Sequence, residues 1–217
     1  MSEGSVTIEM AAHEGRLLSA HLGRLCGWDP HVLVRAQGRG KAIGVYAAPP
    51  MDVLSFVALP ILGPDPTPEF DTTVAASTLR QAMQDHDEHV EIRLPEPLVG
   101  GEVLAVLPPS EGWQLPIPGV SGDLVPVVDE AIAEFRSRAA SVPDSDRLAR
   151  EIWDRPGFGG LPLRVLHAAR RLGFLTDDAS RVSAATCTGW KRLTTVRGQV
   201  FIRTVPPTAR PSLAVVR

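Results

Sequence analysis

Apolar residues recur along this chain with two different periods. Leu18, Leu22 and Leu25 fall at i, i+4 and i+7, and Leu17 widens the stripe, so the pattern predicts a helix over Glu9–Cys26. Gly27 and Pro30 supply its stop. The period then drops to two. His31–Ala36 alternates, Gln37–Lys41 holds two glycines, and Ile43–Tyr46 reads as the return strand of a hairpin. Val53–Leu59 is apolar on both faces apart from Ser55, as a central strand would be. After the Pro-rich connector Gly63–Pro68, Ala75–Gln84 reads as a helix with Leu79 and Met83 on one face, and His89–Leu94 as a strand. Val103–Leu107 is a short apolar run, and the stretch with Trp113, Pro116 and Pro118 reads as a loop.

The strongest helical signal runs over Leu124–Ala140. Val125, Val128, Ile132, Phe135 and Ala139 make an unbroken stripe that should be buried. Asp123 is the expected N-cap, with Pro126 in the first turn. Asp129, Glu130 and Glu134 precede Arg136 and Arg138, the order the helix dipole favours. Asp144 should cap a short helix, Arg147–Arg155, which Pro156–Gly160 breaks. Leu161–Leu172 is a further helix with Gly173 as its stop, Trp190–Val205 a hairpin around Arg197-Gly198-Gln199, and the tail after Pro206-Pro207 extended. No internal repeat is evident. Helices and strands do not alternate as a doubly wound sheet requires, so the expected class is α+β. A mixed strand and helix region over 1–120 would precede a helical region over 121–217 that ends in a β-hairpin.

At 217 residues and 44% hydrophobic, the chain can bury a sizeable core. Only Lys41 and Lys191 are lysines and asparagine is absent, the usage of a GC-rich genome, so the arginine excess is weak evidence for phosphate binding. The N-terminus has no leader pattern and no stretch reaches the ~20 apolar residues of a membrane span, so no membrane partner and a cytoplasmic location are expected. Cys26 and Cys187 cannot build a disulfide framework or a four-cysteine metal site, and no cofactor is expected. Charge is uneven. Residues 1–150 carry a net −10 and residues 151–217 a net +7, which suggests self-association of an acidic N-terminal with a basic C-terminal region, or separate partners.

Chemical motifs are few. Gln37–Ala42 lacks the glycine and the Ser/Thr of a phosphate loop, since Arg35 and Ala42 stand in those places. Gly119–Asp123 lacks the last glycine of a nucleophile elbow. His86 and His89, at i and i+3 among Asp85, Asp87, Glu88 and Glu91, are the candidate metal ligands, although a solvated acidic turn has the same composition. The C-terminal unit is more suggestive. Two helices and a hairpin follow the order of a winged helix-turn-helix, with Arg164, His167 and Arg171 on one helix face and Lys191, Arg192, Arg197 and Arg203 on the hairpin. The same helix, rich in Leu and Ala, could equally be core.

The segments Asp71-Thr72-Thr73-Val74, Glu151-Ile152-Trp153-Asp154-Arg155-Pro156, Gly160-Leu161-Pro162-Leu163-Arg164 and Gly189-Trp190-Lys191-Arg192-Leu193 resemble an uncharacterised protein family of high-GC actinobacteria. That resemblance implies no activity and transfers no functional residue. The expected function is therefore that of a non-enzymatic intracellular binding or regulatory protein. The alternatives are a winged-helix DNA-binding protein and a metal-dependent enzyme using His86 and His89.

Overall fold

The computed structural model describes residues 6–63, 69–98 and 104–204; the connector at 64–68, Val103, Val205 and the tail beyond it lie outside the described residues. The strands are β1 (Thr7–Ala11), β2 (Leu33–Arg39), β3 (Ala42–Ala47), β4 (Leu54–Pro60), β5 (Phe70–Ala75), β6 (Met83–Asp85), β7 (His89–Arg93), β8 (Gln114–Val120), β9 (Arg181–Cys187), β10 (Trp190–Thr195) and β11 (Gly198–Arg203). The helices are α1 (Ala12–Trp28), α2 (Ala76–Gln81), α3 (Ser121–Ala139), α4 (Ser145–Trp153) and α5 (Leu163–Arg171).

Two sheets result. One has the order β1-β7-β6, and the other runs β5-β2-β3-β4-β11-β10-β9-β8. The larger sheet is antiparallel throughout and nearly symmetric about its middle. A meander, β2-β3-β4, meets a second meander, β9-β10-β11, through β4 and β11, where Gln199 faces Phe56, Val200 faces Ser55 and Phe201 faces Leu54. Strand β5 flanks the first meander and β8 the second. The α+β class holds, but the arrangement differs from the expected one. The C-terminal hairpin does not end a helical region; it lies inside the sheet, between β4 and β9.

Side-chain alternation gives the sheet two apolar faces. Val34, Ala36, Ile43, Val45, Val57, Val182, Ala184, Leu193, Val200 and Ile202 join Leu18, Leu22, Val125, Ile152 and Leu166 from the helices in the main core. On the opposite face Leu54, Trp190 and Phe201 form a smaller cluster with Leu104, which comes from the segment joining β7 to β8. Helix α5 packs against β11 and α3 against β8, with α4 on α3 and α5, whereas α1 packs against β4 and α2 against β5.

Three strands pass straight into helices: β1 into α1, β5 into α2 and β8 into α3. At each junction Ala11, Ala75 or Val120 is extended and no side chain caps the helix. This corrects several expectations. Residues 7–11 are strand, so α1 begins at Ala12; the 114–120 stretch is a strand rather than a loop; and the helix expected over Ala75–Gln84 is one short helix followed by β6. Helix α3 begins at Ser121, so Asp123 is in its first turn rather than its cap, and Pro126 lies one turn in, without an N–H for the Gly122 carbonyl. Of its expected stripe, Val125 and Val128 are buried, while Ile132, Phe135 and Ala139 are half-buried. Asp144 does cap α4, accepting the Arg147 N–H at 2.8 Å.

Candidate nucleic-acid interface

The C-terminal cations are not gathered on one surface. On α5, Arg164 donates to Asp154 at 2.6 Å. His167 lies against Trp153, ring centroids 4.6 Å apart, with Trp28 edge-on at 5.9 Å. Burial, reinforced by Arg171, lowers its pKa to about 4, so it is a neutral ring at physiological pH. Arg171 lies 5.4 Å over Trp28 and donates to the Gly27 carbonyl. The hairpin residues divide between the faces of the sheet. Lys191 reaches the helix side and donates to the Gly160 carbonyl at 2.7 Å. Arg192 and Arg203 lie on the other face, over Trp113 at 4.3 Å and Trp190 at 4.9 Å. Burial pulls Arg192 below the ordinary guanidinium value. Arg197 is exposed at the β10–β11 turn.

Much of the basic excess of this end is neutralised locally. Glu134 accepts two bonds from Arg155 and one from Arg138, which holds its carboxyl down at about 2. Glu151 joins the same network. Arg170 sits between Asp129 and Asp177 at 3.7 and 3.6 Å.

An open cationic surface instead lies where α1 meets α2. A cleft of about 550 Å³ is lined by Arg16, Ser19, Ala20, Gly23 and Arg24 of α1, Arg80 of α2 and Asp85 of β6. Ser19, Ala20 and Gly23 make a low floor. The Arg80 guanidinium lies across it, 3.4 Å from where a Cβ on Gly23 would stand. Among the described residues neither Arg16, Arg24 nor Arg80 is in an ion pair. Arg24 reaches past the end of α1 to Gly173, beyond α5, so the cationic surface runs on towards Arg171. This joint between the halves also buries His21, stacked on Phe174 at 5.4 Å.

Three arginines around a floor of small residues can hold an extended anion by charge and by forked N–H donors. Sequence reading missed them. Arg16 and Arg24 lie two turns apart on the polar side of the Leu18–Leu25 stripe, a signal that was present, whereas Arg80 arrives only through tertiary packing.

Residues 1–100 match the model of a Domain of unknown function (DUF8010), and residues 108–207 that of a Domain of unknown function (DUF8185). The resemblance to an uncharacterised family therefore holds. A search of curated proteins finds no match. The fold is that of DNA polymerase sliding clamps. The beta subunit of DNA polymerase III from Borrelia burgdorferi, solved with a natural product, is 7% identical, with 98% of this chain and 68% of that one aligned at a TM-score of 0.57. The sliding clamp from Caulobacter crescentus is 13% identical over 98% and 69% at 0.57. A putative beta subunit from Eubacterium rectale is 9% identical over 96% and 66% at 0.60. The chain thus spans about two thirds of the length of these clamps.

This fold corrects the functional expectation. The expected non-enzymatic binding or regulatory protein, read without any link to the clamps, gives way to a chain with the sliding-clamp fold. The winged-helix alternative fails because β10 and β11 are paired on both sides within the sheet and cannot project as a wing. The metal-binding alternative gains no third ligand among the described residues. His86 and His89 stack at 4.7 Å at the tip of the β6–β7 hairpin, and no group of three metal-ligating residues exists among the described residues. Among those residues no helix is long and apolar enough to cross a membrane.

Proposed function

We propose that this chain works on DNA as a clamp-fold scaffold, with the α1–α2 cleft resting on the phosphate backbone. The carrying observation is the set of arginines without an ion pair among the described residues, Arg16, Arg24 and Arg80, on the helix layer of a fold also found in sliding clamps. Phosphate contacts by arginine are independent of base sequence, which suits a protein that holds DNA without reading it. Arg171, beyond the α1–α5 joint, extends the same path. Asp85 is the one carboxylate lining the cleft and opposes an anion there.

Binding of a labelled random-sequence duplex at low salt tests this reading, with fluorescence anisotropy as the readout. Replacing Arg16, Arg24 and Arg80 together by glutamine should weaken binding at least about tenfold. Asp85→Asn should strengthen it. Equal binding by wild type and triple variant, or no binding by wild type, would overturn the proposal. Sizing the protein at each salt concentration reports in parallel whether copies associate, as the opposite charges of the two regions suggest.

A further inference from the structure

The eight-stranded sheet ends in β8 on one side and β5 on the other. An edge strand takes up a further strand through its outward N–H and C=O groups. On β8 the Ser121 N–H reaches inward to the Ser180 carbonyl at 2.9 Å, in register with the pairs Val120–Arg181, Gly119–Val182, Pro118–Ser183 and Ile117–Ala184. Backbone groups alternate in direction along a strand, so Gly119 and Ile117 also turn inward, and positions 118 and 120 turn out. At 118 the outward N–H is missing because the residue is proline, and Pro116 has none either. From Pro116 to Gly119 the outer side of β8 therefore offers an incoming strand no donor. Pro118 costs the fold no ladder bond, since its position has no inward bond to make. Beside it the ladder slips by one extra residue between Gln114 and Ile117, which bends the edge.

On β5 the Ala76 N–H turns inward to the Val32 carbonyl, which leaves positions 71, 73 and 75 facing out. The middle one is already taken: the Thr73 carbonyl accepts the Leu98 N–H at 2.8 Å. The segment that makes this bond, residues 94–98, contains Pro95 and Pro97, so it cannot serve as a regular edge in its turn. The smaller sheet is closed in the same spirit. Leu62 meets the outer side of β1, its N–H donating to the Glu9 carbonyl at 2.6 Å, and β6 at the other edge is three residues long.

We infer that the larger sheet is closed to strand addition at both ends, and that this chain holds DNA as a single copy laid against one side of the duplex. The statement about the sheet stands on the edges alone; the statement about DNA rests on the reading given under the proposed function. The two are compatible in space, because Arg16, Arg24 and Arg80 lie on the helix layer and the closed edges leave their cleft open. Opposite charges can still draw copies together at low salt. Such contacts are screened as salt rises, whereas a β-ladder continued from one copy to the next is not.

Sedimentation velocity of the full chain, in enough salt to screen surface charge, tests the edges. Wild type should sediment as a single copy over a wide range of concentration. Pro116→Val with Pro118→Val restores the missing N–H groups and adds strand preference, so this variant should form dimers or larger species in the same salt. Pro118→Ala restores one N–H without a larger side chain; it is the milder variant and should shift the same way. A salt-resistant oligomer of wild type would overturn the inference, and so would variants that keep the wild-type circular dichroism and remain single copies. The DNA statement is tested at low salt by comparing a bare duplex with the same duplex carrying streptavidin on both ends. A protein that lies on one side needs no free end, so the two affinities should agree. A loss of about tenfold or more on blocking the ends would mean that the duplex is threaded, and would overturn the single-copy mode. No binding to either duplex would overturn the DNA reading itself, while sedimentation would still decide the edges.

Discussion

His21 offers the sharpest physical test of the joint between the two halves. Its side chain is 3% exposed, stacked on Phe174, and neither ring nitrogen has a hydrogen-bond partner among the described residues. Burial, reinforced by the charge of Arg24, lowers its pKa from 6.5 to about 4. The folded state thus holds a neutral ring where the unfolded chain takes up a proton, so stability falls as pH drops from about 6.5 and levels off below about 4. At about 1.4 kcal/mol per pKa unit, the full loss is on the order of 3 kcal/mol. His167, also lowered to about 4 by burial, adds a loss in the same direction that is common to both proteins. The perturbation is His21→Leu, which keeps an apolar contact with Phe174 and removes the titrating group. Urea denaturation of both proteins at pH 7 and pH 4 isolates the term, because every other ionisable group is common to the two. Wild type should lose roughly 3 kcal/mol more than the variant over this interval. At pH 7 the variant should be at least as stable, since two unpaired buried nitrogens are gone. An identical pH dependence in both proteins would refute the reasoning.

Leu193, with no exposed surface at the centre of the sheet, should cost about 2–5 kcal/mol when replaced by alanine, read from the urea midpoint. Gly159→Ala should destabilise by roughly 1–3 kcal/mol in the same assay, because the residue has φ +61° and an added Cβ would meet the Ala184 Cβ. Glu134, with its carboxyl held at about 2, contributes stability that is present above the usual carboxylate range and lost as pH falls through about 2. Glu134→Gln should flatten that acid limb, as followed by circular dichroism.

The elements legible in the sequence were those set off by turn chemistry. Gly173 closes α5 at a positive φ of 76°, Asp144 caps α4, and the β2–β3 and β10–β11 hairpins follow their alternation. The strands β1, β5 and β8 run into helices with no glycine or capping side chain between, so the period changes without punctuation. Strand β9 was missed for another reason: Ser183, Ala184 and Ala185 are small and alternate weakly. The symmetry of the sheet was invisible because β4 and β11 pair across more than a hundred residues. The basic C-terminal end misled for an electrostatic reason. Arg155, Arg164 and Arg170 meet carboxylates from 129 to 177, a pairing that net charge does not reveal. Arg16, Arg24 and Arg80, which line the open cleft, come from a region of net negative charge.

The central claim is that Arg16, Arg24 and Arg80 neutralise DNA phosphates, and its most direct measurement is the salt dependence of duplex binding. Each phosphate contact contributes about −0.9 to the slope of log affinity against log salt, so losing three should make the slope shallower by up to about 2.7. The account predicts a log-linear decline for wild type and that shallower slope for the Arg16, Arg24 and Arg80 triple glutamine variant. Parallel lines for the two proteins would contradict it.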